Sequence, residues 1–262
     1  MPTSAGTQGA LSQIAESKTG PGLAGLAEQA SMLAAGSTSS TRLTERALAA
    51  IAETQPTLNA FRCVRAEAAR DEAENADRRL AAGERLPLLG VPVAIKDDTN
   101  IIGETTKFGC AGEFAVATED AEVVRRLRAA GAVIVGKTQT PEIGQWPITA
   151  GSAFGVTRNP WNLDHTPGGS SGGTAAAVAA GIVAVAVGSD GAGSIRIPAA
   201  WTDLVGIKPQ RGRVSDWPDP EAFNGLTAVG PLGRSVGDAA LLLDVISGNH
   251  PGDLHRPAAP EE

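Results

Sequence analysis

The chain has 262 residues, of which 42% are hydrophobic and 19% charged, a composition typical of a globular protein with a sizeable core rather than of a disordered chain. Its net charge of -7 argues against nucleic-acid binding, which requires basic side chains to neutralise phosphates. The only cysteines, Cys63 and Cys110, are too few for a disulfide framework or a zinc site. We therefore expect no nucleic-acid partner and no metal.

The N-terminal region and the apolar stretches indicate where in the cell the protein is expected. Residues 1–20 are rich in Ser, Thr, Gly and Gln without apolar periodicity, which predicts a mobile tail. They also lack the cationic start and apolar run of a signal peptide. The most apolar stretch, residues 175–188, is shorter than the about 18 residues that a membrane span requires. These features predict a soluble cytoplasmic protein without a membrane partner.

The hydrophobic pattern divides the chain into two layers of one domain. Helical periodicity with start and stop signals predicts a helical layer over about residues 21–85. Its predicted elements are helices over 23–35, 41–53 and 67–82 and a strand over 61–64. From about residue 86 to 248, short apolar strands alternate with helices, which is typical of an α/β core. The predicted core elements are strands over 91–95, 132–135, 182–187 and 204–207 and helices over 121–130, 173–180 and 236–247.

These elements predict an α/β fold with a mixed, largely parallel central sheet flanked by helices. The domain is expected to cover residues 21–256 and to be followed by a tail at 257–262. Trp146 and Trp161 could line the pocket, but packing in the core is the more common role of tryptophan and is expected for both.

A lysine directly after an apolar strand is the first chemical feature. Lys96 follows the strand predicted over 91–95 and is itself followed by Asp97. An ammonium group is costly to bury unless it is paired or neutral. A dry pocket would lower its pKa and make it a candidate base. Taken alone, the more common explanation is a lysine that extends past the strand to solvent.

Two glycine- and serine-rich loops are the second feature. Residues 166–173 contain Ser170 and Ser171 among four glycines and open an alanine-rich helix. Residues 188–198 follow a predicted strand and contain Ser194 after a run of small residues. Glycines permit backbone angles that other residues avoid, and successive amides can converge on a carbonyl oxygen. Taken singly, each loop is equally well explained as an ordinary turn.

In this order, the lysine and the two loops resemble the amidase signature family. The Gly/Ser-rich signature runs unbroken over 168–198, Lys96 lies in the matching Ala-Ile-Lys-Asp segment, and the resemblance covers residues 22–256. It implies an amidase that hydrolyses a carboxamide to a carboxylate and ammonia or an amine, without metal or cofactor. Because members of the family continue well beyond this length, it also implies the N-terminal half of the fold.

The resemblance implies a role for each signature residue. Lys96 would be the base, Ser170 the relay after a cis peptide bond from Gly169, and Ser194 the nucleophile that forms an acyl-enzyme. The remaining roles are oxyanion-hole or substrate-binding amides at Gly191, Ala192 and Gly193, and structural support from Ser171, Asp190 and Arg196.

Two positions depart from the family pattern. The residues before Ser194 read Gly-Ala-Gly where Thr-Gly-Gly is frequent, so Ala192 must tolerate its Cβ. Asp98 stands where Asn is common, and the sequence gives this change no meaning.

Other interpretations of the same residues remain open. The spacing around Ser170 also fits a nucleophile elbow, but no strand is predicted directly before it, and its histidine would have to be His250 or His255. A phosphate loop at residues 136–138 lacks the upstream loop glycine. An amidotransferase subunit that releases ammonia from glutamine shares the signature but usually has Gln where Ile197 stands.

A truncated, inactive relative is a further alternative. The expected binding partner is a small-molecule amide substrate. The sequence does not decide whether the chain forms a homodimer.

Overall fold

The computed structural model describes residues 24–219 and 223–258. The tail predicted at 1–20 and most of the tail predicted at 257–262 lie outside this range. The helices are α1 (Leu26–Ala34), α2 (Ser40–Leu58), α3 (Ala66–Ala81), α4 (Glu122–Ala129), α5 (Gly172–Ala179), α6 (Arg196–Trp201) and α7 (Val236–Ile246), with a 3-10 turn at Glu142–Gly144. The strands are β1 (Phe61–Val64), β2 (Pro92–Lys96), β3 (Val133–Thr138), β4 (Ala150–Gly151), β5 (Gly155–Val156), β6 (Val185–Asp190), β7 (Val205–Gly206) and β8 (Ala228–Gly233).

A six-stranded sheet with the order β1-β3-β2-β6-β8-β7 forms the centre of the molecule. Strands β3, β2 and β6 are parallel neighbours. The strands outside them, β1, β8 and β7, each pair antiparallel with a neighbour. This arrangement confirms the predicted mixed sheet and restricts parallel pairing to its three central strands. The short strands β4 and β5 form a separate hairpin.

Helices cover both faces of the sheet because side chains on a strand alternate between faces. On β2, Ile95 belongs to an apolar cluster that includes Leu127 of α4 and Leu242 of α7. Its neighbour Ala94 belongs to a second cluster that includes Ala176 of α5 and residues of α2 and α3. The central strands are therefore buried on both sides, and polar side chains can gather only where the strands end.

Most predicted elements are present, and the structure adds helix α6, strands β4, β5 and β8 and the 3-10 turn. Strand β8 was not predicted because its sequence, Ala-Val-Gly-Pro-Leu-Gly, contains residues that are depleted in strand interiors. Helix α6, with Pro198 inside it, was also missed. Strand β6 begins later than expected and runs on to Asp190. Its last two positions are therefore the polar residues Ser189 and Asp190. Within the described ranges, no helix has the length and apolar character to cross a membrane.

The first turn of α5 lies directly on neighbouring backbone. A Cβ at Gly173 would clash with the backbone of Gln139 and of Ala60. The amide of Gly173 also donates a hydrogen bond to the carbonyl of Gln139. This contact fixes the start of α5 against the end of β3, and therefore fixes the loop that precedes α5.

Gly173→Ala should destabilise the fold. The clash with backbone cannot be relieved by a side-chain rotation, so we expect the free energy of unfolding to fall by about 1–3 kcal/mol. Urea denaturation followed by circular dichroism measures this change.

Gly237→Ala is the matched control, because Gly237 also lies in the first turn of a helix, α7, but a Cβ there would meet Ser235 Oγ at an ordinary van der Waals distance of 3.9 Å. There the free energy of unfolding should be unchanged or rise by about 0.5–1 kcal/mol, since alanine favours helix. Equal effects of the two substitutions would contradict the close approach at Gly173.

Candidate active site

The site forms where two parallel strands end side by side. Strands β2 and β6 are in parallel register, so the carboxyl end of β2 lies beside that of β6. Lys96 is the last residue of β2 and is only 1% exposed. Its Nζ donates hydrogen bonds to Ser170 Oγ at 2.7 Å and to Ser189 Oγ at 2.8 Å. Lys96 therefore does not extend to solvent, and its amine faces two hydroxyl groups.

The loop before α5 presents Ser170 to the lysine. The peptide bond between Gly169 and Ser170 is cis, as the resemblance predicted. Ser171 ties this loop to the neighbouring strand: its Oγ donates to the carbonyl of Ser189 at 3.1 Å. Its amide donates to the carbonyl of Ser194 at 3.1 Å. Ser171 thus joins the two serine loops, which fits a supporting position rather than a reacting one.

Asp190 organises the loop that contains Ser194. It accepts a hydrogen bond from the amide of Gly193 at 2.7 Å and from Arg196 Nε at 2.9 Å. Burial would raise the pKa of Asp190, but the hydrogen bonds from Arg196 and from the loop amides hold it below its usual value. The Asp190 side chain is fully buried, so a carboxylate there can serve as an internal anchor for the loop.

One predicted oxyanion-hole donor needs correction. The amide of Gly193 is occupied by Asp190 and is not free to bind a substrate oxygen. The amides of Gly191 and Ala192 donate to no acceptor in the described part of the chain, and both residues line the cavity. Ala192 is exposed, so its Cβ is accommodated. The free donors at this loop are therefore Gly191 and Ala192, with the amide of Ser194 beside them.

Ser194 is half-buried and lines the same cavity as Ser170. Among the described residues no hydrogen bond joins Ser194 Oγ to Ser170 Oγ, so the network that starts at Lys96 ends at Ser170. Catalytic hydrogen bonds are often long in structures without substrate and tighten when it binds.

Asp98 and Ser189 belong to the site although the sequence analysis did not place them there. Asp98 Oδ2 lies 3.1 Å from Lys96 Nζ and accepts a short hydrogen bond from Ser189 Oγ. Burial lowers the pKa of Lys96, while the charge of Asp98 opposes that change. The signal for Asp98 was its departure from the family pattern. Ser189 could have been found from its position near the end of a strand that is parallel to β2.

Asp97, the residue before Asp98, has a structural role instead. Asp97 accepts two hydrogen bonds from Arg62, at 2.7 and 2.8 Å, and lies 3.0 Å from Nζ of Lys137. Lys137 is fully buried within β3. Because the Gly136-Lys137-Thr138 segment is a buried strand, it is not a phosphate-binding loop.

A cavity of about 720 Å³ opens onto these residues. Its aromatic lining residues are Phe108, Trp146, Trp217 and Phe223. The expectation that Trp146 and Trp161 pack in the core is wrong, since they are 59% and 56% exposed. Trp161 lies outside the cavity lining and donates to the carbonyl of Thr202.

The nucleophile-elbow alternative does not fit the described residues. They place no histidine in the cavity lining and no strand directly before Ser170. Within the same ranges, no three His, Cys, Asp or Glu side chains are grouped to hold a metal ion.

A buried amine that contacts a serine beside a second, accessible serine defines a candidate hydrolase site. The sequence profile described as Amidase matches residues 42–262, and the chain therefore belongs to the Amidase family.

Known relatives support the same family. The chain is 64% identical over 225 residues to the Mycobacterium tuberculosis protein named "Putative amidase AmiA2", covering 86% of this chain and 46% of that protein. It is 45% identical over 231 residues to a glutamyl-tRNA(Gln) amidotransferase subunit of Roseiflexus sp., covering 87% of this chain and 47% of that protein. The chain thus spans about half the length of the curated relatives it matches.

A solved structure shows the same fold. The structure of 6-aminohexanoate cyclic dimer hydrolase complexed with substrate matches with a TM-score of 0.82 and 39% sequence identity. The match covers 92% of this chain and 50% of that one.

Asp98→Asn should lower the pKa of Lys96. The substitution keeps the shape of the side chain but removes the negative charge beside Nζ, and the ammonium form loses that stabilisation. The measurement is a nitrogen-15 NMR titration of the lysine amines, with Lys96 assigned through its missing signal in Lys96→Met.

The control is Asp244→Asn, which removes an exposed carboxylate of α7 and should leave the titration of Lys96 unchanged. A pKa of Lys96 that stays constant or rises in Asp98→Asn would show that the two groups do not interact as a charge pair.

Proposed function

We propose that this chain hydrolyses a carboxamide through an acyl-enzyme at Ser194. The observation that carries the proposal is the 2.7 Å hydrogen bond from Nζ of the buried Lys96 to Ser170 Oγ, in a site that shares a cavity with Ser194. Burial favours the neutral form of a lysine, and only the neutral amine can accept a proton. Membership of the Amidase family supports the reaction class.

Proton transfer would start at the lysine. Neutral Lys96 takes the proton of Ser170, and Ser170 takes that of Ser194. Ser194 Oγ then bonds to the carbonyl carbon of the amide, whose oxygen becomes an oxyanion. The amides of Gly191 and Ala192, which have no acceptor among the described residues, would donate hydrogen bonds to that oxygen.

The second half of the reaction returns the protons. The relay protonates the leaving nitrogen, the carbon–nitrogen bond breaks, and ammonia or an amine leaves the cavity. Water, deprotonated along the same path, attacks the ester at Ser194 and releases the carboxylate. Atoms and charges balance without a further reactant.

Ser189 and Asp98 would hold the base in place. Ser189 Oγ accepts from Lys96 and donates to Asp98, so the amine is fixed from a second direction. Orienting a base in this way contributes to catalysis because its lone pair must face the proton that it removes.

A role as a glutamine-dependent amidotransferase subunit is less well supported. Relatives named as amidases are 60–64% identical to this chain, whereas the amidotransferase subunits are 45–46% identical. Ile197, which stands where those subunits usually have Gln, lies in the cavity lining. Glutaminase activity above amidase activity on neutral amides would reverse this preference.

Labelling with a fluorophosphonate tests the nucleophile. Attack by the activated serine forms an oxygen–phosphorus bond and expels fluoride, and mass spectrometry then locates the adduct. We expect labelling at Ser194 and none in Ser194→Ala. In Lys96→Met, which keeps the side-chain volume but cannot accept a proton, the labelling rate should fall by a factor of about 100 or more.

Ser37→Ala, in an exposed turn, is the control and should label at the normal rate. Circular dichroism establishes that each variant is folded. An adduct at Ser170 would reverse the roles of the two serines, and folded protein that does not label would favour the inactive-relative alternative.

A further inference from the structure

A carboxylate other than Asp98 also lines the cavity. Asp216 lies between β7 and β8, in a loop whose neighbouring residues Ser215 and Trp217 also line the cavity. Its Oδ1 is buried and has no hydrogen-bond partner among the described residues. A buried carboxylate oxygen without a partner is costly unless a ligand supplies one. The proposed reaction assigns no role to this group.

The charges around the cavity are unbalanced. The charged lining residues are Lys96, Asp98, Asp216 and Asp219. Asp98 faces the Lys96 amine at 3.1 Å. Asp216 and Asp219 form no ion pair within residues 24–219 and 223–258. Asp216 and Asp219 therefore add negative charge to the cavity lining that no ion pair among the described residues compensates.

The surroundings of Asp216 disfavour its charge as long as no cation is present. Burial, followed by the negative charges of Asp253 and Asp98, raises the pKa of Asp216 to about 7, although the backbone amide of Val229 and the charge of Lys208 act in the opposite direction. Asp253 is held in place because it accepts a hydrogen bond from Ser215 at 2.6 Å. A positive group next to Asp216 would relieve this cost.

Aromatic rings complete the surroundings. The ring of Trp217, the next residue, stacks on His250 at 4.6 Å between ring centroids, which fixes its orientation. Phe223 also lines the cavity and is 44% exposed. Aromatic faces attract ammonium groups, and their apolar edges suit an alkyl chain. A carboxylate beside aromatic rings is therefore a surrounding that suits an alkylammonium group.

We propose that Asp216 binds the ammonium end of an amine-bearing amide whose carboxamide lies at Ser194. This inference rests on the proposed function for the position of the reacting end, and it adds a substrate class: ω-amino amides in preference to neutral or acidic ones. An acidic substrate would be repelled by Asp216 and Asp219, while a neutral one would leave Asp216 without a partner.

Three amides of nearly equal length test the preference. They are 5-aminopentanamide, hexanamide and the monoamide of adipic acid, which place an ammonium, a methyl and a carboxylate at the same distance from the carboxamide. Binding is measured by calorimetry with Ser194→Ala, so that no turnover is required. Ammonia release is measured separately with the unchanged chain. We expect 5-aminopentanamide to bind about tenfold more tightly than hexanamide, and the acidic amide to bind most weakly.

Asp216→Asn, combined with Ser194→Ala, should abolish the preference for 5-aminopentanamide over hexanamide. Asp244→Asn in the same background is the control and should keep the preference, because Asp244 lies on the exposed side of α7. Equal binding of the cationic and neutral amides, or a preference that survives Asp216→Asn, would overturn the proposal.

The two proposals fail in different ways. Selective binding of the cationic amide without ammonia release would contradict the proposed function and leave the subsite intact. Release of ammonia from hexanamide at a higher kcat/KM than from 5-aminopentanamide would support the reaction and contradict the subsite.

Discussion

The burial of the Lys96 amine is the constraint on which the rest of the site depends. Its position at the end of β2, between two parallel neighbours, removes it from water and leaves the hydroxyl groups of Ser170 and Ser189 as its partners. An amine in this position is a base only while it is neutral, so the protein must balance burial against the nearby charge of Asp98. Lys137 is a second buried lysine, but it is placed differently. Its amine lies 3.0 Å from the Asp97 carboxylate, and the residue does not line the cavity.

The fold and the main site residues could be predicted because their signals are local in the sequence. Apolar periodicity located most helices and the central strands, and the order of Lys96 and the two serine loops indicated the family. Strand β8 was missed because its glycines and proline are tolerated only in this tertiary context.

The finer features of the site could not be predicted because they depend on distances between remote segments. The amide of Gly193 is taken by Asp190 through the shape of one loop, which composition does not reveal. Asp98 acquires its role only because Ser189 of β6 lies within hydrogen-bond distance. Trp146 is exposed although tryptophan is usually buried, because it forms part of a cavity wall.

The enclosure of the Lys96 amine by two serine hydroxyl groups has a chemical consequence. A neutral amine attacks esters more readily than a hydroxyl group does, and the product of such an attack is a stable amide. If Lys96 could reach the acyl group in the proposed reaction, the enzyme would acylate its own base and stop after one turnover. Nζ is enclosed by Ser170 and Ser189, and the Lys96 side chain is only 1% exposed. In the proposed reaction this enclosure would let the lysine exchange protons with Ser170 without becoming a competing nucleophile.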